Sequence, residues 1–113
     1  MEVPEKGSLV YLNFNPQSGH EQAGHRPAVV LSPKIFNQGS FAFVCPITTK
    51  KKNYPFEVEI PEGLKIKGVI LADQLRSVDW RARNLKVVDR LPIATLNKCL
   101  LLINRILDFN IER

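Results

Sequence analysis

Apolar positions alternate with polar ones in short runs up to Arg90, and recur at helical spacing after Pro92. In residues 8–14, Val10, Leu12 and Phe14 alternate with Leu9, Tyr11 and Asn13. Residues 28–32 form a continuous apolar run, the pattern of a strand covered on both faces. Residues 41–49 put Phe41, Phe43, Cys45 and Ile47 on one face and Ala42, Val44, Pro46 and Thr48 on the other. Residues 56–60 alternate with Glu57 and Glu59 outward, 68–73 read as a buried strand, and 84–89 as a weaker one. One helical turn fits residues 33–39, closed by Gly39. Short strands between turn-rich segments predict a small antiparallel sheet or barrel. At the end, Ile93, Leu96, Leu100, Ile103 and Leu107 predict a helix whose stripe closes the open face of the sheet. Pro92 suits its first turn, where the missing N–H costs nothing. Leu101 and Leu102 lie outside that stripe and hint at a second contact such as another subunit.

Composition narrows the class. The chain has 113 residues, 44% of them apolar, and no repeat or linker, so a single domain over 1–113 is expected. Sixteen basic against eleven acidic residues leave a net charge of +5. A small basic domain suits a polyanion, nucleic acid being the commonest, although charge alone also fits a merely soluble basic protein. Cys45 and Cys99 match no metal spacing and sit among apolar neighbours. Buried free thiols are expected, in keeping with a reducing cytoplasm. MEVPEKGS lacks a signal core, and no apolar run approaches the roughly 20 residues of a membrane span. A cytoplasmic protein with no membrane association is the expectation.

Three segments carry candidate chemistry. Residues 15–27, NPQSGHEQAGHRP, are long for a hairpin connection. Pro27 pushes Arg26 into an extended conformation, anchoring it at a strand edge. Its planar guanidinium suits a phosphate; a salt bridge to Glu21 or Asp73 is the plainer alternative. His20 and His25 read equally as solvated loop residues. Thr48 and Thr49 close a strand, where a hydroxyl can bond a phosphate oxygen, and Lys50, Lys51 and Lys52 follow as a basic turn. Residues 72–83, ADQLRSVDWRAR, combine arginines with Trp80, a usual way to hold single-stranded bases; Trp80 also reads as a core residue. Gln74 can read a base edge or cap a strand. No HExxH, carboxylate cluster or Gly-rich phosphate loop appears. For an enzyme, metal-free chemistry on a phosphodiester is the best physical fit, and RNA supplies its own nucleophile in the 2′-OH. The protein then supplies a proton acceptor, a proton donor and a cation for the oxyanion.

The ordered blocks GSLVYLNFNP, GHEQAGHRPAVVLSP, CPITTKKKNYPFEV and GVILADQLRSVDWRAR resemble the MazF/PemK toxin endoribonucleases, from about Gly7 to Arg83. The resemblance implies an α+β fold: an SH3-like antiparallel barrel, mainly β, with a C-terminal α-helix, working as a homodimer. It implies sequence-specific cleavage of single-stranded mRNA by 2′-OH attack, with no cofactor and no metal. It also implies a MazE-type antitoxin with an acidic flexible tail. On the matching positions, Arg26 is the catalytic arginine, Thr48 binds the scissile phosphate, Glu21 is implicated in activity and His25 is its loop neighbour. His20, Gln22, Thr49, Lys50, Gln74, Arg76, Trp80 and Arg83 are the expected RNA contacts. An arginine keeps its proton to a pH above ~12, so Arg26 suits an oxyanion and Glu21 is the better base, with His25 or His20 as rival. The aspartates the family often carries around the first-strand phenylalanine are Asn13 and Asn15 here, which makes the groove more positive. Two other functions remain open: a protein-contact gyrase poison on the same barrel, and a plain RNA-binding module.

Overall fold

The computed structural model describes residues 2–14, 25–109 and 111–112. Strands β1 (Ser8–Asn13) and β2 (His25–Val30) are followed by a helical turn, α1 (Lys34–Asn37), and the long β3 (Phe41–Thr48). Then come β4 (Glu57–Glu59), β5 (Val69–Leu71), a 3-10 turn (Ala72–Gln74), β6 (Arg76–Asp79), β7 (Lys86–Arg90) and helix α2 (Ile93–Leu107). The fold is α+β: a mainly β antiparallel sheet with a C-terminal helix.

The sheet runs β4–β5–β3–β2–β1–β7, and β6 also pairs with β3. Strand β3 organises it. One edge pairs with β2 at Val44–Pro46. The other edge takes β6 along Phe41–Val44 and then β5 at Ile47 and Thr48. The 3-10 turn carries the chain from β5 to β6, so one strand serves both ends of a curled sheet. In place of a ring of ladders, the expected barrel is this curled sheet, with no ladder joining β7 to β4 among the described residues.

The curl creates two cores, and β2 lies between them. Leu9, Val29, Leu31, Cys45, Ile47 and Ile70 face α2, which buries Leu96, Cys99 and Ile103 against them. Val10, Leu12, Ala28, Val30, Val44 and Val78 face the other way and enclose Trp80. The continuous run from Ala28 thus has the two-sided cover its pattern required. Each buried Leu or Ile contributes about 1.5–3 kcal/mol of apolar transfer.

Some expectations shift. Strand β2 starts at His25, earlier than the apolar run, because β1 continues to pair with it there. Strand β6 was not anticipated: only Val78 of its four residues points into a core, so the segment lacks a visible alternation. Phe41 and Phe43 are exposed although Cys45 and Ile47 on the same strand are buried; α2 covers only that second half. The helix face is rotated from the expected stripe. Ile93 is 74% exposed and Leu107 50%, whereas Thr95 and Cys99 are buried and Leu102 packs on the core. Leu101 stays exposed as expected.

A buried polar knot fastens the second core. Asn37 Nδ2 donates to the carbonyls of Pro4 and Ser32, each at 2.9 Å, and Ser32 Oγ donates to Asn37 Oδ1. Trp80 Nε1 donates to the Asn37 carbonyl at 2.8 Å. Asn37, through its side chain and its carbonyl, therefore ties the N-terminal segment, α1 and the tryptophan together, and among the described residues every buried side-chain polar atom is partnered.

Candidate active site

The β1–β2 ladder pairs Leu12 with Arg26 and Asn13 with His25. The His25 ring lies 5.5 Å from that of Tyr11. The β2–β3 ladder ends at Ala28 opposite Pro46, because Pro27, which would come next on the bonding side, offers no N–H to continue it. Carrying the same register two residues further sets Arg26 opposite Thr48. Opposed residues of an antiparallel pair share a face, so guanidinium and hydroxyl project from one side of the sheet. Arg26 is exposed. The ion pairs among the described residues are Lys51–Glu59 and Arg90–Glu5, so Asp73 does not hold Arg26.

Thr48 is oriented by its own loop. Its Oγ1 accepts the Lys50 N–H at 3.1 Å, which leaves the hydroxyl proton free to donate outward. Beneath it, Gly68 has φ +126°, and an added Cβ would overlap the Thr48 carbonyl oxygen. The close approach of β5 to the end of β3 requires glycine there. A groove of about 390 Å³ runs from Thr48 past Lys50, Lys52 and Tyr54 to Asp73 and Gln74. The structure therefore brings Thr48, Lys50 and Gln74 together. Thr49 faces a neighbouring groove of about 440 Å³ with Lys51 and Lys67.

The arginines after the 3-10 turn do different work. Arg83 Nη1 donates to the carbonyls of Asn13 (3.2 Å) and Phe14 (2.7 Å), and its own carbonyl accepts the Asn13 N–H at 2.9 Å. It stands in for a neighbouring strand at the end of β1. Arg76 places its guanidinium 5.1 Å from the centre of the Phe14 ring. Trp80 corrects the expectation of a base-stacking residue. Its ring is fully buried, its N–H is taken by Asn37, and Arg81 lies 4.3 Å over it. Glu21, His20 and Gln22 lie outside the described residues. Tyr54 and Glu57 line the groove with Thr48 and Lys52 and were not singled out from the sequence as site residues. An aromatic held between a lysine run and Pro55 was the available signal.

Comparison with known proteins decides the family. The profile of PemK-like, MazF-like toxins of type II toxin–antitoxin systems matches residues 5–107. The chain belongs to the PemK/MazF family. Among relatives, the endoribonuclease toxin MazF of Escherichia coli strain K12 is 52% identical over 82 residues, covering 72% of this chain and 73% of the relative. The endoribonuclease PemK of Escherichia coli is 32% identical over 101 residues, covering 85% and 76%. A crystal structure of MazE–MazF from Deinococcus radiodurans superposes with TM-score 0.90 at 43% identity, over 97% of this chain and 100% of that one. In this PemK/MazF chain, the sheet end thus presents an exposed cation, a directed hydroxyl and a lysine-flanked groove. That set can hold a phosphodiester and stabilise the charge that develops on it.

Among the described residues no helix is long and apolar enough to cross a membrane. No three His, Cys, Asp or Glu side chains among them converge as a metal site. Both cysteines are free and buried. Burial pushes the Cys45 thiol up to about 12, aided by nearby Cys99 and Asp73, and the Cys99 thiol up to about 11.

Proposed function

We infer that this chain is the endoribonuclease toxin of a type II toxin–antitoxin pair. It cuts single-stranded RNA, mRNA above all, at a specific sequence and so halts translation. The 2′-OH beside the scissile phosphate attacks it, giving a cyclic phosphate and a 5′-hydroxyl without a metal. Arg26 neutralises the phosphorane oxygens, and Thr48 holds the phosphate through its outward hydroxyl. Glu21 accepts the 2′-OH proton, with His25 as the rival. The reading is supported by the β2–β3 register, which, extended two residues past its last pair Ala28–Pro46, brings Arg26 opposite Thr48.

The working unit is a homodimer, and the groove's lysines receive both RNA and the acidic tail of a MazE-type antitoxin. The two buried thiols suit a reducing cytoplasm. A gyrase-poison role has no support, since the relatives are named endoribonucleases.

Incubating the protein with a long RNA in EDTA tests this directly. Discrete fragments with 5′-hydroxyl ends are expected, and none from a folded Arg26→Ala variant. Intact RNA from the wild type would overturn the reading. Glu21→Gln and His25→Gln then assign the base, since only loss of the base removes the rising limb of the pH–rate profile.

A further inference from the structure

Among the described residues no ladder closes the sheet into a ring, yet one carboxylate spans the gap. Strand β7 lies at one end of the sheet order and β4 at the other. Leu9 pairs with Asp89 and Val10 with Val87, so Val88 is the extra residue of a bulge in β7. A bulge bends its strand and re-aims the side chains beside it. Asp89 opposes Leu9 and shares its face, the face of the first core, where Ile60 and Ile66 also bury. From there its Oδ2 accepts the Lys65 N–H at 2.8 Å, and its Oδ1 accepts the Arg90 N–H at 2.8 Å. Lys65 stands in the middle of the β4–β5 connection. One side chain of β7 therefore fastens that connection.

The bonds are those of an ionised carboxylate. The backbone N–H groups of Lys65 and then Arg90 hold the Asp89 carboxyl below the usual range, and such charge-assisted bonds are stronger than neutral ones. The connection has other anchors. Ile66 is buried in the first core, and the Ile60 N–H donates to the Gly68 carbonyl at 3.0 Å. Apolar burial is non-directional, so Ile66 sets the depth of the connection, whereas the directed bond to Asp89 sets where its backbone lies. Three residues after Lys65 comes Gly68. An added Cβ there would overlap the Thr48 carbonyl oxygen, and Val69 beside it pairs with Thr48. Any shift of the connection reaches Thr48 through backbone contacts.

We propose that Asp89 is a positioning residue for the cleavage site: its clasp on Lys65 places Gly68, and Gly68 places the backbone that aims the Thr48 hydroxyl. The clasp stands on the geometry, and its effect on cleavage rests on the endoribonuclease reading. Asp89 acts through Thr48 and touches no reacting atom. Its loss displaces a group that works in the transition state and removes no RNA contact, so turnover falls and substrate affinity holds.

Asp89→Asn and Asp89→Ala test this in the intact protein. An Asn side chain can accept one N–H but turns its own NH2 toward the other. By NMR without RNA, both variants should speed hydrogen exchange at the Lys65 amide about ten-fold and shift the Thr48 amide and methyl resonances. With a long single-stranded RNA, kcat should fall about ten-fold, with KM within about two-fold of wild type. Asp89→Ala combined with Gly68→Ala should lose less than the product of the single losses, because both act on Thr48. Combined with Arg83→Ala, which loosens the end of β1, the losses should multiply. Glu5→Gln removes only the neighbouring ion pair to Arg90 and should change neither readout. A folded Asp89→Asn with wild-type Thr48 resonances and wild-type kcat overturns the proposal. So does a loss of activity matched by the unfolded fraction in a thermal melt. Asp89→Asn decides alone where Asp89→Ala melts early. A wild type that cuts no RNA overturns the endoribonuclease reading instead, and the Thr48 resonances then decide the clasp.

Discussion

Arg83 Nη1 donates to the backbone carbonyl of Phe14 at 2.7 Å, across sixty-nine residues of sequence. The bond holds the end of β1, and β1 in turn pairs with Arg26 and His25. Arg83 thus acts on the candidate catalytic arginine through a strand. Replacing it with Lys or Ala should lower stability by about 1 kcal/mol, a charge-assisted bond discounted for partial exposure. Cleavage should suffer more: kcat falls about ten-fold or more through misplacement, while KM shifts little. A change in the salt dependence of RNA binding would show that Arg83 touches phosphate instead.

Trp80 should behave as a core residue. Trp80→Phe removes the indole donor to Asn37 and leaves unfilled space, at a cost of about 2–4 kcal/mol by chemical denaturation. The fraction that remains folded should cleave RNA at the wild-type rate. A fully stable variant that has lost RNA affinity would contradict this assignment.

Gly68 links stability to Thr48. Gly68→Ala has to push away the Thr48 carbonyl and occupy a left-handed conformation, costing about 1–3 kcal/mol. Because the displaced group is the backbone of Thr48, cleavage should fall along with the melting temperature. Gly63, which also has positive φ but an open surrounding, is the control, and Gly63→Ala should leave cleavage intact.

The thiols give the pH dependence its sign. Cys45 and Cys99 hold their protons to about 12 and about 11 in the folded chain, whereas an unfolded thiol loses its proton near 8.5. Between those values the folded state binds more protons, so stability is fully present below about pH 8.5 and declines as pH rises beyond it. At neutral pH neither thiol should react with iodoacetamide in the native protein, and both should react in denaturant. Rapid native labelling of either would show that the core opens there.

Period-two alternation and local turn chemistry located most strands, the helical turn at α1 and the terminal helix, because those signals are carried by neighbouring residues. The resemblance supplied the roles of Arg26 and Thr48, and Pro27, which ends their ladder, was visible in the chain itself. What the sequence could not decide depends on which surfaces meet. The buried face of α2 was rotated because Thr95 and Cys99 meet the sheet where Ile93 and Leu107 overhang it. Strand β6 exists because β3 has a free edge, not because its four residues insist on it. Trp80 and Arg83 look alike in sequence to residues that grip RNA. Only the fold shows one enclosed by a core and the other bonded to the end of β1. Propensity and periodicity act over a few residues, whereas burial and hydrogen-bond partners are set by contacts dozens of residues apart. For that reason the chain alone determined most of its strands, its helix and its candidate chemistry, and tertiary structure decided which side chains are left to perform it.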